Sequence, residues 1–300
     1  MLQFCHNFPL EKRGVTPAIF RLMKKRILWL VTCSLIGLSW KSTCAEILSG
    51  KSEYQAGVSL LKSGNGVEAL EKFQRSLQSG YPDAYSAVGF FYATGSSGIE
   101  KDDAKAFEFY QKGTDAGSLT AQVNLAKFYL EGRGVSADRA KGLALMEEAA
   151  SKSSEDAQAA LAEIYFMGLY DPESKPDFAK SMPYVQACAD RGSASAINML
   201  GLIYKEGHCV PVDLKKAEGL FRQAALKGNF KAQSNLGEML DPFAKKKSRR
   251  IEATAWLIVA AAQGEPLAVY RVNEIQARMD ADEWTEAKRL ADDFQIKIQP

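Results

Sequence analysis

Six alanines, Ala84, Ala121, Ala157, Ala196, Ala232 and Ala268, recur at intervals of 37, 36, 39, 36 and 36 residues. A second set of landmarks, Gly80, Gly117, Ser153, Gly192, Gly228 and Gly264, keeps the same intervals. Two sets in step over five intervals mean one small structural unit used many times. Counting each alanine as i, position i+4 is apolar (Val88, Leu125, Leu161, Leu200, Leu236) and i+5 is small (Gly89, Ala126, Ala162, Gly201, Gly237). Position i+8 is Tyr92, Tyr129, Tyr165, Tyr204 and then Leu240. The stripe i, i+4, i+8 is one face of a helix. A second stripe follows, as in Ala217, Phe221, Ala224 and Ala225.

The stretch YLEGRGVSADRAKGL (129–143) shows how the two helices join. Gly132 ends the first helix, Gly134 turns the chain, and Asp138 caps the second through orphan backbone N–H groups. Asp102, Asp177 and Asp213 hold the same place in other units. A phosphate loop with a G-x-G would need a preceding strand, and here a helix precedes it. A helical hairpin of this size cannot bury its apolar face alone. Stacked neighbours supply the missing surface, so the expected fold is all-α, an α/α solenoid of about six to seven hairpins closed by a C-terminal capping helix.

AQVNLAKFYLEGRGVSADRAKGLALMEEAA and AINMLGLIYKEGHCVPVDLKKAEGLFRQAALKG resemble Sel1-like repeats, relatives of the tetratricopeptide repeat. The resemblance covers 84–267. Residues 46–83 resemble a shorter, more tetratricopeptide-like first unit, and 268–300 read as a capping unit with DADEWTEAKRLADDF as its last helix. Two corners depart from the pattern: GLYDPESKPD is longer, and LDPFAKKKSRR has lost the glycines. The resemblance implies a protein-binding scaffold, in some relatives one of envelope assembly, regulation or host interaction. It is specific for the fold and weakly so for function.

Residues 1–45 read as a leader. A basic cluster, Met23-Lys24-Lys25-Arg26, precedes an apolar run of 14 residues, ILWLVTCSLIGLSW (27–40). That is short of the roughly 20 residues that span a bilayer and matches a secretory signal peptide. Cleavage is expected near Ala45-Glu46, giving a periplasmic or secreted protein, and Met23 is an alternative start. The rival is a chain held at the membrane by 27–40. The leader holds seven of the 38 basic residues and one of the 36 acidic ones, so the remainder has 31 and 35, a net charge of −4. Nothing there argues for a nucleic-acid partner.

In a solenoid the first helices line the concave face. Positions i−1, i+2, i+6, i+9 and i+10 are then the candidate groove: Phe90, Lys127, Glu131, Glu163, Phe166, Met167, Asn198, Leu202, Lys205 and Glu238, with Thr94, Glu206 and Arg278 beside them. If Phe166, Met167 and Leu202 are exposed together, they form an apolar patch suited to a protein or peptide partner. Ordinary solvated helix surface is the competing reading. The run Lys245–Arg250 suits a solvated loop, or contact with anionic lipid or an acidic partner. Outside an uncleaved leader, it is the single expected route to a membrane.

No enzyme activity, metal or cofactor is expected. His208-Cys209 is a poor zinc pair without further ligands, and adjacent residues rarely form a thiol–imidazole couple. The rival from another class is a protein that recognises or modifies cell-wall glycan. A glycosidase needs two inward carboxylates at a set separation, and Glu131, Glu163 and Glu238 are the groove candidates. Beyond the leader the cysteines are Cys188 and Cys209. A 12-residue helix places their levels roughly 18 Å apart, beyond the roughly 7 Å limit of a disulfide. Cysteine-rich relatives pair the Cys188 position with one eight residues on, which here is Ala196. The expected outcome on a non-reducing gel is one monomer band whose mobility alkylation leaves unchanged. A shift assigned to a Cys188–Cys209 link would defeat the register.

Overall fold

The computed structural model describes residues 46–170 and 175–298. The leader, with its apolar run and cleavage site, lies outside the described residues. Fourteen helices and no strand occur among them. The chain is an all-α repeat fold of seven consecutive hairpins, and it divides into two compact units at Ala116/Gly117.

The first unit holds α1 (46–62), α2 (Gly66–Gln78), α3 (Asp83–Thr94) and α4 (Asp103–Asp115). Phe73 and Phe91 are its core, with ring centroids 6.1 Å apart. Tyr54 of α1 leans on Phe73 at 5.4 Å. The Ser76 hydroxyl donates to the Gly50 carbonyl at 2.6 Å.

The second unit holds the hairpins α5 (Leu119–Glu131) with α6 (Arg139–Ser151), α7 (Glu155–Met167) with α8 (Phe178–Asp190), and α9 (Ala194–Glu206) with α10 (Leu214–Leu226). Then come α11 (Phe230–Leu240) with α12 (Lys247–Ala262), and α13 (Pro266–Gln276) with α14 (Ala281–Lys297). The opening alanines are all buried, and so is the i+4 stripe. The i+5 position is where a second helix touches its partner. A Cβ on Gly201 would lie 2.6 Å from a ring carbon of Phe221, and one on Gly237 would lie 2.6 Å from Leu257 Cγ. In the first unit Gly89 meets Tyr110, and Gly57 of α1 meets Phe73, in the same manner.

The corners repeat one bonding scheme. In four hairpins the carbonyl of the i+8 tyrosine accepts the backbone N–H of the capping aspartate: Tyr92 from Asp102, Tyr129 from Asp138, Tyr165 from Asp177, Tyr204 from Asp213, at 2.8–2.9 Å. Each aspartate accepts the N–H of a lysine three residues on, Lys105, Lys141, Lys180 or Lys216. That lysine's ammonium lies over the same tyrosine ring, 3.9 Å from its centroid for Lys216 and 4.3 Å for Lys141. One aspartate thus caps a helix, fixes the loop register and sets a cation–π contact. At the other end of each hairpin, Ser118, Ser154, Ser193 and Asn229 cap the next first helix through the opening alanine's N–H.

The α11–α12 corner lacks this aspartate, and arginines replace its bonds. Arg249 Nε donates to the Leu240 carbonyl at 3.1 Å, the acceptor that a backbone N–H reaches elsewhere. Arg250 donates to the carbonyls of Ala244 and Lys245, both at 2.9 Å, and makes a two-pronged pair with Glu283. Lys246 stands at the N-cap of α12 with no side-chain cap bond.

The last hairpin is irregular. α14 packs along α12 rather than along α13. Its Ala287 and Ala291 let it come close, and Phe294 stacks on Trp256 at 4.1 Å. With α11, α13 and α14 around it, α12 is buried almost all round.

Replacing Gly201 with alanine inserts a methyl against Phe221, and overpacking of this kind costs about 1–3 kcal/mol. A drop in urea midpoint at unchanged m-value is the expected reading, and no drop would contradict the seating. The corners also set an alkaline limit. Burial, then the hydrogen bond to Glu147, hold the Tyr165 phenol well above its usual range. Burial also raises Tyr54, Tyr81, Tyr170 and Tyr184. A raised phenol favours the folded state fully below the unfolded value of about 10, and that contribution fades as pH climbs past it. Urea midpoints measured upward from pH 9 should fall beyond about 10, and Tyr165→Phe should fall less.

Candidate binding face

The first helices of the second unit share a face, and one groove opens on it between α5 and α7. Thr120, Val123, Asn124 and Lys127 line one side, and Asp156, Ala159, Ala160 and Glu163 the other, around a volume of about 310 Å³. The floor is shallow in side chains because α7 presents two successive alanines. Lys127, Asp156 and Glu163 are exposed, and none has an ion-pair partner among the described residues. The groove therefore has charges of both signs above a small, partly apolar floor.

Of the residues expected in a groove, Lys127 and Glu163 are brought together here. Phe90 belongs to the first unit, where it stands 42% exposed and edge-on to Phe91. Glu131 is exposed at the end of α5, 3.7 Å from Arg133. Met167 is exposed, while Lys205 is half-buried on α9.

Four residues sit differently from the expectation. Phe166 and Leu202 are half-buried, so they form no open apolar patch with Met167. Phe166 meets Phe178 edge-on at 5.4 Å, and Leu202 packs against the cluster around Phe221. Asn198 is 6% exposed, and its Oδ1 accepts from Asn235 Nδ2 at 2.9 Å, which ties α9 to α11. Glu238 is already occupied by Arg271, at 2.8 and 2.9 Å, and Arg271 also bonds Glu274. These contacts hold the guanidinium of Arg271 above even its usual range.

The groove residues that side-chain type alone passes over are Thr120, Val123 and Asn124 on α5, and Asp156, Ala159 and Ala160 on α7. The signal on α7 is the pair Ala159-Ala160, where neighbouring repeats carry Val123-Asn124, Asn198-Met199 and Ser234-Asn235.

No cluster of three or more His, Cys, Asp or Glu that could hold a metal occurs among the described residues. His208 is stacked on Phe178 at 3.9 Å and bonded to Glu206 at 2.7 Å. Cys188 is buried and Cys209 exposed, and both are free thiols. Cys209 Sγ lies by the carbonyl of Phe178, ten residues and so about 15 Å along α8 from Cys188. No described helix is long and apolar enough to cross a membrane.

Stacked helical hairpins with an open, charged groove on one face define a class of binding scaffold. The chain is a Sel1-repeat protein: the Sel1 repeat matches residues 82–118, 119–154, 155–193 and 194–229. Proteins built from this repeat serve in general as protein-interaction scaffolds. A Sel1 repeat protein of Oxalobacter formigenes has a similar structure, with a TM-score of 0.63 and 26% identity, covering 80% of this chain and 99% of that one. A protective antigen of uropathogenic Escherichia coli shares the fold, with a TM-score of 0.70 at 23% identity, over 83% of this chain and 54% of that one. Chitin synthase regulatory factor 3 of Schizosaccharomyces pombe is 29% identical over 57% of this chain, and the chain spans 19% of that protein's length.

Proposed function

We propose that the chain is a non-enzymatic scaffold of the bacterial envelope that takes an extended segment of a partner protein in the α5–α7 groove. The observation that carries this reading is the unsatisfied charge above the alanine floor. Lys127 faces a groove whose other wall holds Asp156 and Glu163, and none of the three has an ion-pair partner among the described residues. Elsewhere on the same face Glu238 is paired within the chain, and Asn198 is buried in a bond to Asn235. A partner presenting a small apolar side chain to Ala159 and Ala160, flanked by charges of both signs, fits that surface. Charges so placed set register and orientation more than affinity.

The envelope part of the reading is supported by the leader pattern of residues 23–45. The mature chain would begin near Glu46, at the start of α1.

A photo-activated crosslinker placed at Ala159 or at Lys127 tests the groove in living cells. The expected result is the same partner-protein adduct from both positions and none from Ala144, which is exposed on α6. Ala160→Trp, which fills the floor, should lower the adduct yield more than tenfold. Equal yields from groove and control positions, or an unchanged yield in the filled variant, overturn the proposal.

A further inference from the structure

The run Lys245–Arg250 is two sets of charges with different work. Arg249 bonds the Leu240 carbonyl and Glu218, and Arg250 bonds Glu283 and two loop carbonyls. These arginines hold the corner in shape and are neutralised where they sit. Lys245, Lys246 and Lys247 are exposed, and none takes part in an ion pair among the described residues. The same loop carries Phe243, 44% exposed, two residues before the first lysine.

The acids around the corner do not cancel the lysines. Glu218 is held by Arg222 and Arg249, and Glu283 by Arg250. The exposed Asp241 carboxylate accepts the N–H of Phe243, and Asp280 caps α14 through the N–H groups of Asp282 and Glu283. Asp282 alone among these is an acid with no such bond. The segment 241–250 carries five cations against one acid.

The geometry points to the α11–α12 corner as a contact site for an anionic lipid surface, with Lys245, Lys246 and Lys247 at the headgroups and Phe243 at the interface. Three successive exposed lysines, Lys245 on the loop, Lys246 at the N-cap of α12 and Lys247 opening the helix, make a diffuse field rather than a pocket with a register. Such a field suits a plane of negative headgroups, where each lysine strengthens partition by about fivefold. The aromatic ring beside them supplies the apolar contact that charge alone lacks. The two arginines fix the loop beforehand, so the lysines are displayed without a folding step. Attraction of this kind is reversible and screened by salt.

The test is co-sedimentation of the full chain with vesicles of phosphatidylcholine, and of phosphatidylcholine with phosphatidylglycerol at about 30%. Partition should be at least tenfold greater on the anionic vesicles, and 0.5 M salt (roughly a 4 Å screening length) should remove the difference. Replacing all three lysines with glutamine should cost about a hundredfold, while the arginine triple should retain binding. Binding through the leader, which has a basic cluster of its own, would also favour anionic vesicles but would ignore the glutamine triple. Acetylation of the unaltered chain gives a readout that needs no variant: anionic vesicles should protect Lys245–Lys247 and leave Lys127 reactive. Equal partition on both vesicles, an unaffected glutamine triple, or no protection overturns the inference. So does capture of soluble poly-glutamate in place of vesicles, which would make the partner an acidic protein.

Discussion

The fold rests on a missing side chain. Where a second helix crosses its partner, the i+5 residue is glycine or alanine, and a bulky group of the second helix fills the gap. Phe221 over Gly201 and Leu257 over Gly237 leave no room for even a methyl. That approach brings the two apolar stripes into contact and makes the hairpin a unit. With the crossing fixed, the corner has little freedom. The tyrosine carbonyl, the aspartate cap and the lysine over the ring then close it in one way each time. Each such corner is a local device, assembled from residues within about a dozen positions of one another. Order of that range forms with little loop-closure cost, which suits a chain that stacks in one dimension.

The α11–α12 corner shows that the scheme is a requirement on bonds, not on residue types. The Leu240 carbonyl needs a donor, and with no capping aspartate to place a backbone N–H there, a guanidinium reaches it. Arg250 likewise ties two loop carbonyls to Glu283 of α14. This exchange joins the corner to the irregular end of the unit. α14 lies along α12, where Trp256 and Phe294 stack, and its first turn offers Glu283 to Arg250. The departure from the repeat at the corner and the departure at the end are thus chemically coupled.

The period, the hairpins, the buried alanines and the capping residues were legible in the sequence because they repeat, and a periodic signal reports burial directly. The positions expected on the open face were less legible. A helical wheel separates a core stripe from its opposite, but a stacked helix has two further sides, and those touch the neighbouring repeats. Asn198 lies on such a side and is spent on Asn235. Phe166 and Leu202 are apolar because neighbouring elements cover half of them. The arginines of the basic run read as solvated charge, and only the carbonyls they reach show otherwise. The path of α14 could not be read at all, since Ala287 and Ala291 would suit any close helix.

Whether a charge on the face is free is decided one repeat away. Glu238 stands at i+6, and its partner Arg271 stands at i+3 of the following first helix, 33 residues on. Lys127 also stands at i+6, and the residue 33 positions further is Ala160. For Glu163, whose corner is longer, the matching i+3 residue is Met199. The same backbone register therefore yields a closed ion pair in one place and open charges in two others. The difference lies in the side chain the next repeat offers. A stack of near-identical hairpins cannot differ in function through its fold. It differs where one repeat leaves unanswered what its neighbour's position would ordinarily answer, and in this unit those places cluster around α7.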